Sequence, residues 1–311
     1  MKIAFFEVKS EEKVFFEAEL CAYELFFFEG TINDTLITQE AYDVVSIFVH
    51  SQITDEILDK LPQLKYLQTR STGYDHIKCN ELYARGLVIS NVAGYGGPAV
   101  AEFAFSLLLN ASRHTYIALQ RTKKDDFSYA DLKGIELFGK TIGILGLGTI
   151  GSQMARIAKG FGMHVLVHSR TKKPIVDLLA LEFCDVDTLV SQSDIIMLAL
   201  PLTPTTKNIL NIENSKNIKE NVIIVNAARG ELIEENLYKK MSNIFCLDVI
   251  SNVEYIHKNN ILYTPHMAYY TKEALERIMQ ISLNNIDAFL TGKVLPNCLK
   301  LSCKRDYKIE N

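Results

Sequence analysis

The feature that most constrains this 311-residue chain is a glycine-spaced turn, Gly146-x-Gly148-x-x-Gly151, set between an apolar run and an amphipathic one. Lys140-Thr-Ile-Gly-Ile-Leu-Gly-Leu-Gly-Thr-Ile-Gly151 reads as a strand followed by a turn, and Met154, Ile157, Ala158 and Phe161 then recur at helical spacing. A second strand follows over 164–168. Glycines cluster in many turns, so the spacing alone decides little. The strand–turn–helix–strand context is what a dinucleotide site needs. Gly146 permits the tight turn, Gly148 lets the backbone approach a pyrophosphate, and Gly151 lets helix and strand pack closely. The unpaired N–H groups of the helix start then face the phosphates.

The rest of the chain repeats the same alternation. Short apolar runs at 3–8, 44–49, 66–69 and 87–92 read as strands, and a helical pattern covers 11–28. A helix starts at Thr54-Asp55-Glu56 and ends before Pro62. A long helix over 98–121 carries Val100, Phe103, Leu107, Ala111 and Ile117 on one face, and the polar stretch Lys123-Lys124-Asp125-Asp126 follows it. Further strands are expected at 141–145, 165–168, 195–199, 222–226 and 245–249, and a last helix over 271–290. Strands that are apolar on both faces and alternate with helices imply parallel sheets covered on both sides.

Apolar residues make up 48% of the chain and charged residues 23%, with a net charge of −4, so no overall field favours nucleic acid or an anionic membrane. No apolar run approaches the roughly 20 residues that span a bilayer. The N-terminus is a short strand broken by Glu7 rather than a secretory segment, and a cytoplasmic location is expected. The six cysteines form no Cys-x-x-Cys pair, which predicts free thiols and gives a zinc site no spacing.

The choice of dinucleotide is made at the end of the second strand. An NAD site usually places a carboxylate there for the ribose 2′-OH. This chain reads His168-Ser169-Arg170-Thr171-Lys172-Lys173. Ser169 can hydrogen-bond a 2′-phosphate and Arg170 can grip it, whereas a carboxylate would repel it. The expectation is NAD(P)(H) with a lean toward NADP(H).

Seven motifs in shared order carry a resemblance. They are Arg70-Ser-Thr-Gly-Tyr-Asp-His76, Asn91-Val-Ala-Gly-Tyr95 with Val100-Ala-Glu102, the glycine loop, Leu200-Pro-Leu-Thr203, Asn226-Ala-Ala-Arg-Gly230, Leu247-Asp-Val249 and Thr264-Pro-His-Met-Ala-Tyr-Tyr-Thr271. On them the chain resembles the D-2-hydroxyacid dehydrogenases over nearly its whole length, most of all the D-lactate dehydrogenase branch. The resemblance implies two doubly wound α/β domains with parallel sheets, Rossmann- and flavodoxin-like. A discontinuous substrate domain would cover 1–97 and 270–311, a dinucleotide domain 98–269, and the site would lie at their seam. It also implies a homodimer built partly on the 98–121 region.

The resemblance assigns roles residue by residue. Arg229 would orient the keto acid through two parallel donors, and His266 would donate a proton to its carbonyl oxygen. A glutamate bonded to that histidine falls on Glu254, the only carboxylate of 250–260, although the family's position is Val253, one residue earlier. Thr72 and Gly73 match a loop that holds the substrate carboxylate, and Tyr95 and Tyr269 match aromatic walls that suit a short substrate. Asp248 matches a ligand of the nicotinamide amide. Ala227 and Ala228 would leave room for the ring, Thr149 and Ile150 would sit on the phosphate-binding turn, Val100 would line the ring's outer side, and Pro201 would lie beside the cofactor. The implied reaction is hydride transfer between NAD(P)H and a small 2-keto acid, giving a D-2-hydroxy acid. Two other readings stay open. Glyoxylate or hydroxypyruvate reduction shares every catalytic residue and fits Ser169-Arg170. A non-catalytic dinucleotide sensor shares the scaffold but does not need Arg229 and His266 in register.

Overall fold

Strands of four or five residues with no polar alternation are stable here because helices cover both faces of each sheet. A computed structural model describes residues 1–35, 41–78 and 85–299. It divides the chain into two units, Met1–Tyr95 with the chain from Lys272 onward, and Gly96–Thr271. The first unit opens with β1 (Lys2–Phe6), α1 (Ser10–Glu19), β2 (Glu24–Phe28), β3 (Val44–Ile47), α2 (Asp55–Asp59), β4 (Tyr66–Thr69) and β5 (Val88–Ser90). Its sheet runs β2-β1-β3-β4-β5, parallel throughout. Alternation along the strands sends Ala4, Phe6, Val45 and Leu67 into one core layer. Ile3, Phe5, Val44 and Tyr66 enter the other. Each fully buried side chain of this size stabilises the fold by roughly 1.5–3 kcal/mol.

One element departs from expectation. The helical pattern over 11–28 ends at Glu19, and the chain turns back to form β2. Phe27 and Phe28 pair in register with Phe5 and Phe6, and their rings stack at 5.2 and 4.7 Å between centroids. Aromatic cross-strand pairs of this kind outweigh a local helical period.

The second unit contains α3 (Gly97–Ser112), α4 (Thr115–Thr122), β6 (Thr141–Leu145), α5 (Thr149–Gly160), β7 (His164–His168), α6 (Pro174–Leu178), β8 (Glu182–Phe183), α7 (Val186–Gln192), β9 (Ile195–Leu198), α8 (Ile212–Ser215), β10 (Ile223–Asn226), α9 (Leu237–Lys240), β11 (Ile244–Leu247) and β12 (Ile261–Tyr263). The sheet order is β12-β11-β10-β9-β6-β7-β8, again parallel throughout. Ile142, Ile144, Ile195 and Met197 pack on the face of α3 and α5. Leu145, Ile196, Leu198 and Ile224 pack on the opposite face. The helix expected over 98–121 is two helices, broken at His114, whose φ is +51°. The Ser112 carbonyl accepts from Ile135 N at 2.9 Å, and Asn110 Oδ1 takes the Tyr116 N–H at 2.8 Å. Those bonds replace the helical ones at the break.

The chain then re-enters the first unit as α10 (Lys272–Leu290), burying Ala274, Ile278, Ser282, Asn285, Ile286 and Phe289 along one stripe. Cys21, Cys184 and Cys246 are free, but Cys298 is disulfide-bonded, which corrects the expectation of free thiols throughout. Among the described residues no helix is long and apolar enough to cross a membrane.

The start of β9 carries a pH-dependent tie. Asp194 accepts from Lys219 Nζ at 2.8 Å and from Thr141 N at 2.9 Å. Burial raises the Asp194 carboxyl, but Lys219, the Thr141 N–H and Lys140 together hold it below its ordinary value. A folded-state pKa that is depressed adds stability above the unfolded value and loses it as pH falls through the folded one. Asp194→Asn should therefore cost about 1 kcal/mol at pH 7 for this half-exposed pair, and the cost should fade on acidification. Urea midpoints of both proteins across that range test this, and an equal gap at every pH contradicts it.

Candidate active site

The glycine loop lies between β6 and α5, beside the end of β9. Gly146 has φ +105°, and a Cβ there would stand 2.5 Å from the Ala199 carbonyl oxygen, so only glycine fits. A Cβ on Gly151 would collide with the Gly146 carbonyl. Gly148 has open space above it and caps α5 with no side-chain bond. The first N–H groups of a 12-residue helix are thus presented past three bare backbone positions. That cradle fits a pyrophosphate. Thr149 and Ile150 occupy the first turn, and Gly97, three residues before the buried Val100, packs against the Thr149 side chain. β6 and β9 are the neighbours at which the strand order reverses, the place where open α/β sheets bind ligands.

At the end of β7, Ser169 is 9% exposed and donates its hydroxyl to the Thr171 carbonyl at 2.8 Å. Arg170 beside it is exposed, while Lys172 is paired with Asp177 at 2.6 Å. Beyond β9, the exposed Pro201 accepts from the Thr206 hydroxyl at 2.6 Å.

Three more site residues follow β10, β11 and β12, which are adjacent in the sheet. After β10 the fully buried Asn226 builds the turn: its Oδ1 accepts from Ala228 N at 3.0 Å and its Nδ2 donates to Arg229 O at 2.8 Å. Ala227, Ala228 and Arg229 are half-buried on that turn, and Arg229 Nη1 donates to the Ala228 carbonyl at 2.8 Å.

After β11 comes Asp248, with no exposed surface. Its Oδ1 accepts from the Thr264 hydroxyl at 2.6 Å and from Met267 N at 2.9 Å, and its Oδ2 accepts from Ala268 N at 2.8 Å. Its carbonyl accepts from His266 N at 3.0 Å. These bonds surround His266, which is exposed and left-handed at φ +54°, a conformation that is strained for any side chain but glycine. The half-buried Tyr269 sets its ring edge-on to the imidazole, 6.2 Å between centroids. The Thr264 and Asn226 anchors were not foreseen in the sequence, although Asn at the end of a strand is a known turn builder.

Glu254 lies elsewhere. It is exposed in the short 3-10 helix Val253–His257, its N–H bonded to Asn252 Oδ1 at 3.0 Å, and its charge helps hold the Lys239 ammonium. In the first unit, Thr72 and Gly73 follow β4 and Tyr95 follows β5. The Thr72 hydroxyl donates to the Val92 carbonyl at 2.9 Å, and the Gly73 carbonyl accepts from Ser71 Oγ at 2.6 Å.

The cradle makes one substitution decisive. Gly151→Ala forces a methyl into the Gly146 carbonyl and should cost about 1–3 kcal/mol of stability, the range for overpacking, while weakening nucleotide binding at least about tenfold. Urea unfolding and fluorescence titration with reduced dinucleotide measure both. Unaltered values would show that the loop has room the geometry denies.

The family model for the D-isomer specific 2-hydroxyacid dehydrogenase, NAD binding domain, matches residues 105–268. The chain is 31% identical to D-lactate dehydrogenase of Escherichia coli, over 96% of this chain and 99% of that one. It is 32% identical to glyoxylate reductase of Thermococcus litoralis, over 82% of each. A solved structure of D-lactate dehydrogenase from Aquifex aeolicus, complexed with NAD and lactic acid, superposes with a TM-score of 0.86 at 29% identity, covering 93% of this chain and 96% of that one. With an NAD-binding domain on its second unit, the chain belongs to the D-isomer specific 2-hydroxyacid dehydrogenases.

Proposed function

We propose that this protein reduces a short 2-keto acid to the D-2-hydroxy acid, with Arg229 holding the substrate and His266 supplying the proton. The observation that carries the reading is the row of Arg229, Asp248 and His266 on turns past three adjacent strands, two of them anchored by buried polar side chains. A bound reduced nicotinamide supplies the hydride. Gly146, Gly148 and Gly151 with Thr149 and Ile150 hold its pyrophosphate, and Val100, Pro201, Ala227 and Ala228 line its place. Arg229 offers paired N–H donors to the substrate carboxylate and carbonyl, a match lysine lacks. Thr72 and Gly73 add donors to the same carboxylate. His266 gives a proton to the carbonyl oxygen as the carbon becomes tetrahedral. Tyr95 and Tyr269 are the aromatic side chains assigned to the substrate, and rings of that size suit a small side chain, which favours pyruvate. Asp248 serves this chemistry by fixing the His266 turn. The similarity to a glyoxylate reductase supports glyoxylate as the second substrate to test.

Arg229→Lys and His266→Gln should each lower kcat/KM for pyruvate by about 100-fold or more. Glu254→Gln decides the histidine's partner. A carboxylate beside the imidazole favours its protonated form, so losing one lowers kcat and moves the alkaline limb of the reduction profile to lower pH. An unchanged profile leaves His266 acting without Glu254. Absence of turnover with pyruvate, glyoxylate, hydroxypyruvate and phenylpyruvate would favour a dinucleotide sensor.

The cofactor reading is a preference for NADPH. Ser169 donates its proton to Thr171, so of this pair the exposed Arg170 is the one to meet a 2′-phosphate. Arg170→Ala should reduce kcat/KM with NADPH about tenfold and leave NADH unaltered. A wild type that prefers NADH, with no response to the substitution, contradicts this. We also assign a cytoplasmic homodimer, in which Tyr116, Ile117 and Leu119, exposed on α4, join the 98–121 face to its copy.

A further inference from the structure

Beyond β5, the loop that leads out of the first unit is gripped from one helix. Arg277 stands on α10, and its Nε donates to the Tyr95 carbonyl at 2.8 Å. Tyr95 is the last residue before the chain leaves the unit, and its side chain is 8% exposed. Further along the helix, the fully buried Asn285 donates through Nδ2 to the Asn91 carbonyl at 2.9 Å, while its Oδ1 accepts from Asn297 at 3.1 Å. Asn91 in turn donates to the Thr72 carbonyl at 2.7 Å. One helix therefore holds the 91–95 loop at both ends, and that loop holds the 72–73 turn. Arg277 supplies the charged member of the set. A guanidinium N–H to a carbonyl is charge-assisted and directional. It fixes the plane of the peptide after Tyr95, and with it the direction in which the Tyr95 side chain leaves the backbone.

We infer that Arg277 is a positioning residue for the 2-keto acid: it locks the Tyr95 peptide so that the Tyr95 ring stands where it closes over the substrate. Arg277 touches no reacting atom. The inference rests on the reading of Tyr95 as a substrate-contacting ring.

The test is steady-state kinetics with pyruvate and glyoxylate as probes, on Arg277→Ala, Arg277→Lys, Tyr95→Ala and the Arg277→Ala/Tyr95→Ala double variant, with thermal unfolding of each. Arg277→Ala should raise KM for the keto acid about tenfold, with kcat within about twofold and the nucleotide KM unmoved. Arg277→Lys should recover part of the loss. In the double variant the KM should equal that of Tyr95→Ala alone, because the arginine acts through the ring. A folded Arg277→Ala with wild-type KM, or KM increases that multiply in the double variant, overturns the inference. If the alanine variant does not fold, Arg277→Gln carries the same comparison. A Tyr95→Ala protein with unchanged KM sinks instead the Tyr95 reading beneath it, and the two failures are thereby distinct.

Discussion

Among the described residues every pair of strands within the two sheets is parallel, and the rest of the molecule follows from that. Parallel strands end on one edge, and each is followed there by a turn before a helix carries the chain back. In the second unit the order β12-β11-β10-β9-β6-β7 lines up the turns of His266, Asp248, Arg229, Pro201, Gly146 and Ser169. Adjacent strands of such a sheet lie about 4.8 Å apart. Residues far apart in the chain thus become a row whose spacing the sheet ladder sets. The same edge of the first unit gathers Thr72, Gly73 and Tyr95 past β4 and β5. Burial on both faces is what keeps these short strands in place, so the apolar runs are as much a condition of the site as the polar residues.

A rigid edge still leaves the turns to be shaped. Arg229 is half-buried, and its turn is built by Asn226, which has no exposed surface. His266 is exposed, yet it is placed by Asp248, which has none either. Burying a carboxylate is costly unless its lone pairs are filled. Here the Thr264 hydroxyl and the Met267 and Ala268 N–H groups fill them, and the same bonds offset the strain of a left-handed histidine. The buried charge and the backbone strain are each unfavourable alone and stable together. A nicotinamide amide, the partner that resemblance assigned to Asp248, would have to share a carboxylate already engaged by its own turn.

Legibility in the sequence tracks how local each determinant is. The strands at 66–69 and 141–145 are readable to the residue, because short, almost fully buried segments bounded by turns carry their own signal. β2 is hidden, since the helical spacing of Val14, Phe15 and Ala18 runs on into it and only pairing with β1 reveals a strand. The break at His114 depends on Ile135, more than twenty residues away. Gly146, Arg229 and His266 are legible as motifs. Arg277 is not, because its bond to Tyr95 spans 182 positions and no local pattern marks it.

The least legible residue is Glu254, whose turn is shaped by contacts that no local pattern marks. The next residue, Tyr255, is 7% exposed and donates its hydroxyl to Glu235 Oε1 at 2.8 Å. Asn252 donates to the same oxygen at 3.1 Å, and Lys239 lies over the Tyr255 ring at 5.6 Å. The 3-10 helix is therefore pinned on both sides of Glu254. A 3-10 helix turns about 120° per residue, so burying Tyr255 against α9 turns its neighbour Glu254 outward, while Val253 is left 62% exposed. The one-residue offset in sequence is thus a structural difference: the carboxylate belongs to a different anchored turn from the histidine it would serve.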